Sequence, residues 1–237
     1  MTGVDNIVSF KLEIIPGGIR STGRLWVTIQ RLFFNMGPRI IFLVDGFNLY
    51  HSIREIKRDT GYNTRWLDLY SLCRSYLHLL GREATLEDVF YFSAIPDYLN
   101  NINPDKVKRH RNYISCIEST GVKYELGRFK EKTVFCTSCH NYFLKHEEKE
   151  TDVAIGVKVF EIFHLDHCDF AVVVTGDTDL CPAFRKCKVL FPNKKFVFAF
   201  PYKRKNIELL TLAPGSFSMN YKQYIRYQLP NPVVLAN

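Results

Sequence analysis

The chain has 237 residues, 46% of them hydrophobic and 14% aromatic, enough for one generous domain with a packed core. No apolar run approaches the roughly 18 residues of a membrane-spanning helix, and seven cysteines, odd in number and scattered, do not form a disulfide framework. The formal net charge of +8 suits a polyanionic partner as well as plain solubility, and with no basic n-region leading into an apolar core the expected compartment is the reducing cytoplasm.

Residues 1–35 mix short apolar pieces with PGG at 16–18 and STG at 21–23, without sustained periodicity. They are expected to be an N-terminal extension, either disordered or translated upstream of a start at Met36. An amphipathic helix over LWVTIQRLFF (25–34) is the alternative. The folded domain is expected over 36–237.

IIFLVD (40–45) is an apolar run that ends on a carboxylate. FNLYHSIREIK (47–57) follows with helical spacing, Leu49, Ile53 and Ile56 falling on one face. WLDLYSLCRSYLHLL (66–80) predicts a second helix stopped by Gly81. DVFYFSAIP (88–96) reads as a strand. DKVKRHRNYISCIEST (105–120) is a basic amphipathic helix with Val107, Ile114 and Ile117 facing inward. VKYELGRFKEKTVFC (122–136) predicts a strand running into an extended, hairpin-like piece. Then come a helix over 151–165, the strand DFAVVVTGD, a short helix over 178–190 with Pro182 in its first turn, and the strand KKFVFAFP. This alternation predicts a Rossmann-like three-layer α/β/α sandwich around a mainly parallel sheet.

In such sheets ligands bind beyond the carboxyl ends of the strands. Asp45, Asp177 and Asp179 are expected there, while neither a G-x-G-x-x-G nor a G-x-x-x-x-G-K-[ST] motif is present. Acid therefore stands where a phosphate cradle would otherwise be. Two carboxylates about 4 Å apart repel by about 4 kcal/mol at an effective dielectric of ~20. Either one takes a proton or a cation sits between them. Oxygen ligands favour Mg2+ or Mn2+, which activate water and offset charge on a phosphodiester. Each acid also has a plainer reading. Asp45 can open a helix, Asp177 and Asp179 can form an Asx turn, and Asp152 can be a first-turn acid behind Thr151 as N-cap.

VDGFNLY (44–50), KETDVAIGV (149–157) and VVVTGDTDLCPAF (172–184) occur in that order. Together they resemble the three signature segments of the NYN domain family, a branch of the PIN-like ribonucleases. The resemblance spans residues 38–230 and leaves the first 35 outside. It implies a PIN-like sandwich and a divalent-metal-dependent endoribonuclease, a hydrolase using Mg2+ or Mn2+ on single-stranded or structured RNA. On that resemblance Asp45, Asp152 and Asp177 are metal ligands, with Asp179 a further catalytic acid. Asn48 would orient the substrate or the attacking water, and Thr175 and Thr178 would position water or phosphate. The basic segments KVKRHR and GRFKEK offer Lys108, Arg109, Arg111, Arg128 and Lys130 for the phosphate backbone, although each also reads as a solvated surface charge. The rival classes are an RNA-binding or regulatory module with little turnover and a hydrolase of small phosphate esters. Oligomeric state is left open, a homo-oligomer being one option.

FCTSCHNYFLKH (135–146) carries a C-x2-C pair. Cys136, Cys139 and His146, with a distant fourth ligand, are the expected set for a structural Zn2+ ion. The alternative is a pair of free or redox-sensitive thiols. Some members of the resembled family have a comparable pair just before the E-K-x-x-D segment. Cys73, Cys116, Cys168, Cys181 and Cys187 read as buried residues.

Overall fold

A computed structural model describes residues 37–230, so the expectations for 1–35 lie outside the described residues. Among the described residues seven strands form one sheet in the order β4-β3-β2-β1-β5-β6-β7. They are β1 (Arg39–Asp45), β2 (Thr85–Ala94), β3 (Lys123–Phe135), β4 (Tyr142–Lys149), β5 (Phe170–Val174), β6 (Lys195–Phe200) and β7 (Phe217–Ser218). All neighbours are parallel except β3 and β4, which pair antiparallel. Without β4 the order is that of a doubly wound sheet, and its topological switch point lies between β1 and β5. The fold is the Rossmann-like sandwich expected.

The central strands are buried on both faces, which is why they read as continuous apolar runs. Ile40, Phe42 and Val44 pack with α1 (Gly46–Thr60), α2 (Leu69–Arg74), α3 (Pro104–Ser119) and α7 (Tyr221–Arg226). Ile41 and Leu43 point the other way, into α4 (Thr151–His164), α5 (Cys181–Leu190) and α6 (Ile207–Leu212). Val107, Ile114 and Ile117 of α3 are buried, as are the five cysteines expected to be. Among the described residues no helix is long and apolar enough to cross a membrane.

Two expectations change. The helix expected over 66–80 begins only at Leu69, because Asp68 caps it by accepting from the Ser71 N–H at 3.0 Å, and after Arg74 the chain tightens into a 3₁₀ turn at Leu77–Leu79. Residues 123–135 form one long strand, and its partner β4 had no clear sequence signal. YFLKHEEK is half-buried to exposed along its whole length, so it lacks the two-residue alternation that marks a strand with one wet face. The distal halves of β3 and β4 pair only with each other: β2 reaches β3 no further than Gly127.

Candidate functional site

β1 and β5 deliver their last residues side by side, with Val44 paired to Val174. Side chains alternate along a strand, so Asp45 and Thr175 point to the face that carries α4. Asp45 is 2% exposed and Thr175 0%. The Thr175 hydroxyl donates to Asp45 Oδ2 at 2.8 Å and accepts from the Asp177 N–H at 3.1 Å. Asn48 donates from Nδ2 to the same Asp45 oxygen at 2.7 Å, while its Oδ1 accepts from the Gly176 N–H at 3.2 Å. Asp45 Oδ1 caps α1, accepting from the N–H groups of Phe47 and Asn48, both at 3.0 Å. Asp45 is thus a helix cap and a buried site acid at once. Burial pushes its carboxyl upward, against the hydrogen bonds from Asn48 and Thr175, and the charge of Asp177 adds to the rise.

Asp152 arrives from α4. Ile155, Val159 and Ile162 bury the helix against the sheet, and Asp152 lies one turn before Ile155, at the sheet edge. Its carboxyl is pushed up to about 6, first by burial and then by the charges of Asp45, Asp177, Glu148 and Asp179. Five carboxylates from four segments therefore share one field. Glu148 was not singled out by sequence reasoning. It accepts from the Thr151 N–H at 3.2 Å and from the Thr151 hydroxyl. This corrects the reading of Thr151 as N-cap: the cap position is Glu150, held at φ 82 with no side-chain capping bond to the helix, and Glu148 takes the free N–H instead. Asp177 accepts from the Asp179 N–H at 3.0 Å, the Asx turn foreseen, and Asp179 is exposed in the 3₁₀ turn at Thr178–Leu180.

Two more residues belong to this edge. Arg204 packs so closely over Gly176 that a Cβ there would lie 2.3 Å from the Arg204 carbonyl oxygen. Its Nε is buried without a hydrogen-bond partner among the described residues. His51, two turns into α1, is held below its ordinary pKa by burial and then by the charges of Arg204 and Arg54, against the opposite pull of Asp45. The sequence marks YKRK (202–205) as basic but says nothing of its place beside β5.

No protein-family model matches the chain, and no curated protein matches it in sequence. A solved structure is similar: a protein of unknown function from Vibrio parahaemolyticus. Its TM-score is 0.50 and its identity 16%, over 78% of this chain and 95% of that one. That likeness supports the fold alone.

The oxygen-only donor set of Asp45, Asp152 and Asp177 fits Mg2+ or Mn2+, and the leading charges on Asp152 are all negative. Among the described residues, however, no three His, Cys, Asp or Glu side chains are already drawn into a ligand cluster. The expected roles of two neighbours shift. Thr175 spends its hydroxyl joining Asp45 to Asp177, and Asn48 spends its amide clamping the two strand ends, so both position Asp45 rather than face substrate. Thr178 remains half-buried beside Asp177.

The basic residues divide. Lys108 and Arg109 are exposed on α3, and no contact among the described residues joins them to the acids. Arg111 pairs with Asp97 at 2.7 Å, and Arg128 pairs with Glu150, two residues before Asp152, at 2.7 Å. Lys130 is exposed on β3. The expected zinc set does not assemble. His146 pairs in register with Glu131, four positions from the Phe135–Tyr142 end of the hairpin, or about 14 Å at ~3.4 Å per residue. Its ring stacks on Tyr98 at 3.8 Å instead. Cys136 and Cys139 stay together at the hairpin tip, where the Cys139 N–H and thiol hold the Cys136 thiol below its ordinary pKa.

Proposed function

We propose that the chain is a divalent-metal-dependent endoribonuclease acting on RNA phosphodiesters. The observation that carries this reading is a group of five carboxylates at the switch point of a doubly wound sheet, on a protein of net charge +8. Asp45, Asp152 and Asp177 would hold Mg2+ or Mn2+, which when bound supplies Lewis acidity and an activated water. The protein's own part is positioning. Thr175 and Asn48 fix the Asp45 carboxylate before any ion arrives, so little is left to order at the moment of reaction. Asp179 stands at the exposed lip of the turn and faces incoming substrate. Arg204, whose backbone lies against Gly176 and whose charge reaches His51, brings a cation to the same edge, where it would offset charge on a phosphate.

The resemblance of the three acidic segments to the NYN domain family supports the same activity. The test is incubation of the purified protein with total RNA in EDTA, Mg2+ or Mn2+, beside Asp177→Asn, with the new ends mapped. Cleavage by the wild type should require the ion. Asp177→Asn should lose roughly 10²–10³-fold, the scale for removing one group that stabilises transition-state charge. A fully active Asp177→Asn protein would sink the proposal. A second reading, an RNA-binding module with little turnover, is favoured by one observation: no three acidic side chains are already gathered as ligands among the described residues. Salt-dependent RNA binding without ion-stimulated cleavage would select it.

A further inference from the structure

An aromatic row leads away from the acids. Phe47, two residues after Asp45, meets Phe129 of β3 with ring centroids 5.9 Å apart. Phe129 meets Tyr98, in the 3₁₀ turn after β2, edge to face at 5.1 Å. Tyr98 in turn lies flat on His146 of β4 at 3.8 Å and 5°. Beside Tyr98 and Phe129 opens a cleft of about 300 Å³, lined also by Ile95, Asp97, Arg111, Leu126, Gly127 and Arg128. The Gly127 wall of the cleft stands against Glu148, one of the five acids. A Cβ on Gly127 would lie 3.1 Å from Thr151 Oγ1 and 3.3 Å from Glu148 Oε1.

A patch of this kind is more than a brace for the hairpin. Tyr98 is 37% exposed although it is the hub of the row. The cleft is apolar on its aromatic side, and its rim carries Arg111 and Arg128, whose exposed pairs with Asp97 and Glu150 are weak enough for a phosphate to compete with, while Lys130 is exposed further along β3. Planar apolar faces bordered by guanidinium groups match a nucleotide, whose base stacks and whose phosphate pairs. A base inside a duplex has both faces covered by its stacked neighbours, so the occupant is a base of an unpaired strand. We infer that this cleft holds one unpaired nucleobase of a bound strand against Tyr98 and Phe129, its phosphate toward Arg128 and Arg111, so that a neighbouring phosphodiester reaches Asp45, Asp152 and Asp177. The inference rests on the nuclease reading for its polymer, but it names a base-binding subsite which that reading does not require.

The test measures binding in EDTA, where cleavage plays no part. The probe is a labelled RNA of about 12 nucleotides, within the usual footprint of single-strand binding sites, beside a duplex of the same sequence. The single strand should bind more tightly than the duplex. Tyr98→Ala should weaken single-strand binding by roughly 5- to 100-fold, the scale of one lost base–aromatic stack, while Tyr98→Phe keeps the ring and the affinity. Thermal melts and far-UV spectra establish that each variant is folded. Equal binding of strand and duplex, or a folded Tyr98→Ala protein with wild-type affinity, overturns the inference. So does a Tyr98→Ala protein whose affinity is unchanged but whose sedimentation mass falls, because the row is then a contact between copies. Tyr98-dependent binding without ion-dependent cleavage by the wild type would uphold the subsite and defeat the nuclease. Cleavage that Tyr98→Ala leaves untouched, with unchanged binding, would do the reverse.

Discussion

The same two strands carry acid at both ends, and the two ends are built in opposite ways. At the amino end, Asp169 just before β5 faces Arg39 at the start of β1. Arg39 reaches Asp169 at 2.9 Å and Asp166 at 3.1 Å, and Lys194 pairs with both aspartates. The Arg39 hydrogen bonds hold the Asp169 carboxyl down at about 2. At the carboxyl end, Asp45, Asp152 and Asp177 share their field with Glu148 and Asp179, and Asp152 is pushed up to about 6. One end brings its own cations and is complete. At the other, none of these five acids forms an ion pair among the described residues, and a carboxyl pushed upward by its acidic neighbours marks a candidate site rather than a brace of the fold.

Added ion should separate the two ends most. In Mg2+ or Mn2+ at about 100 times its dissociation constant, the carboxyl end should gain about 2.7 kcal/mol. That gain should appear as a higher melting temperature than in EDTA. Asp45→Asn or Asp177→Asn should remove it, and Asp169→Asn should not. An ion-induced rise that survives Asp177→Asn would place the ion elsewhere. Next in size is Thr175→Val, which strips the buried hydroxyl between Asp45 Oδ2 and the Asp177 N–H. Urea unfolding should show a loss of about 1–3 kcal/mol for the unsatisfied groups, largely restored by Thr175→Ser.

The smallest effect is the most discriminating, because the two ends should respond to pH with opposite signs. Asp169 has a folded pKa near 2, below its unfolded value of about 3.9. Its contribution is present above about pH 4 and is lost as pH falls toward 2. Discounted for solvent screening, Asp169→Asn should cost on the order of 1 kcal/mol at neutral pH. Asp152 has a folded pKa near 6, above its unfolded value, so in EDTA it lowers stability as pH rises from about 4 past 6. Asp152→Asn should flatten that upper limb, and a saturating divalent ion should do the same to the wild type. Urea midpoints from pH 3 to pH 8, in roughly unit steps, separate the two limbs. An upper limb unchanged in Asp152→Asn would remove the like-charge account of the site.

The parts legible in the sequence share a cause: their signal is local. Apolar runs such as Ile40–Val44 and Ala171–Val174 mark buried parallel strands, because a strand covered on both faces has no polar alternation to blur it. The acids at their ends were legible for the same reason, since a carboxylate directly after such a run can only sit at a sheet edge. β4 was not legible, because a strand half-buried to exposed along its length has neither pattern. His146 misled for a related reason. C-x2-C followed by His suggests a ligand set by spacing, but the antiparallel register carries His146 away from the cysteines and onto Tyr98.

What the sequence determined by itself is the sandwich and the strands whose carboxyl ends carry Asp45 and Asp177. Tertiary structure alone decided which acids share a field. It also recruited Glu148, His51 and Arg204, turned Thr175 and Asn48 into clamps on Asp45, and lined Phe47, Phe129, Tyr98 and His146 into a row. These groups come from segments as much as 159 residues apart, from Asp45 to Arg204, and no periodicity in a chain encodes which loop will lie over which strand end. That is fixed by strand order and crossover, through the burial of the two apolar faces of the sheet.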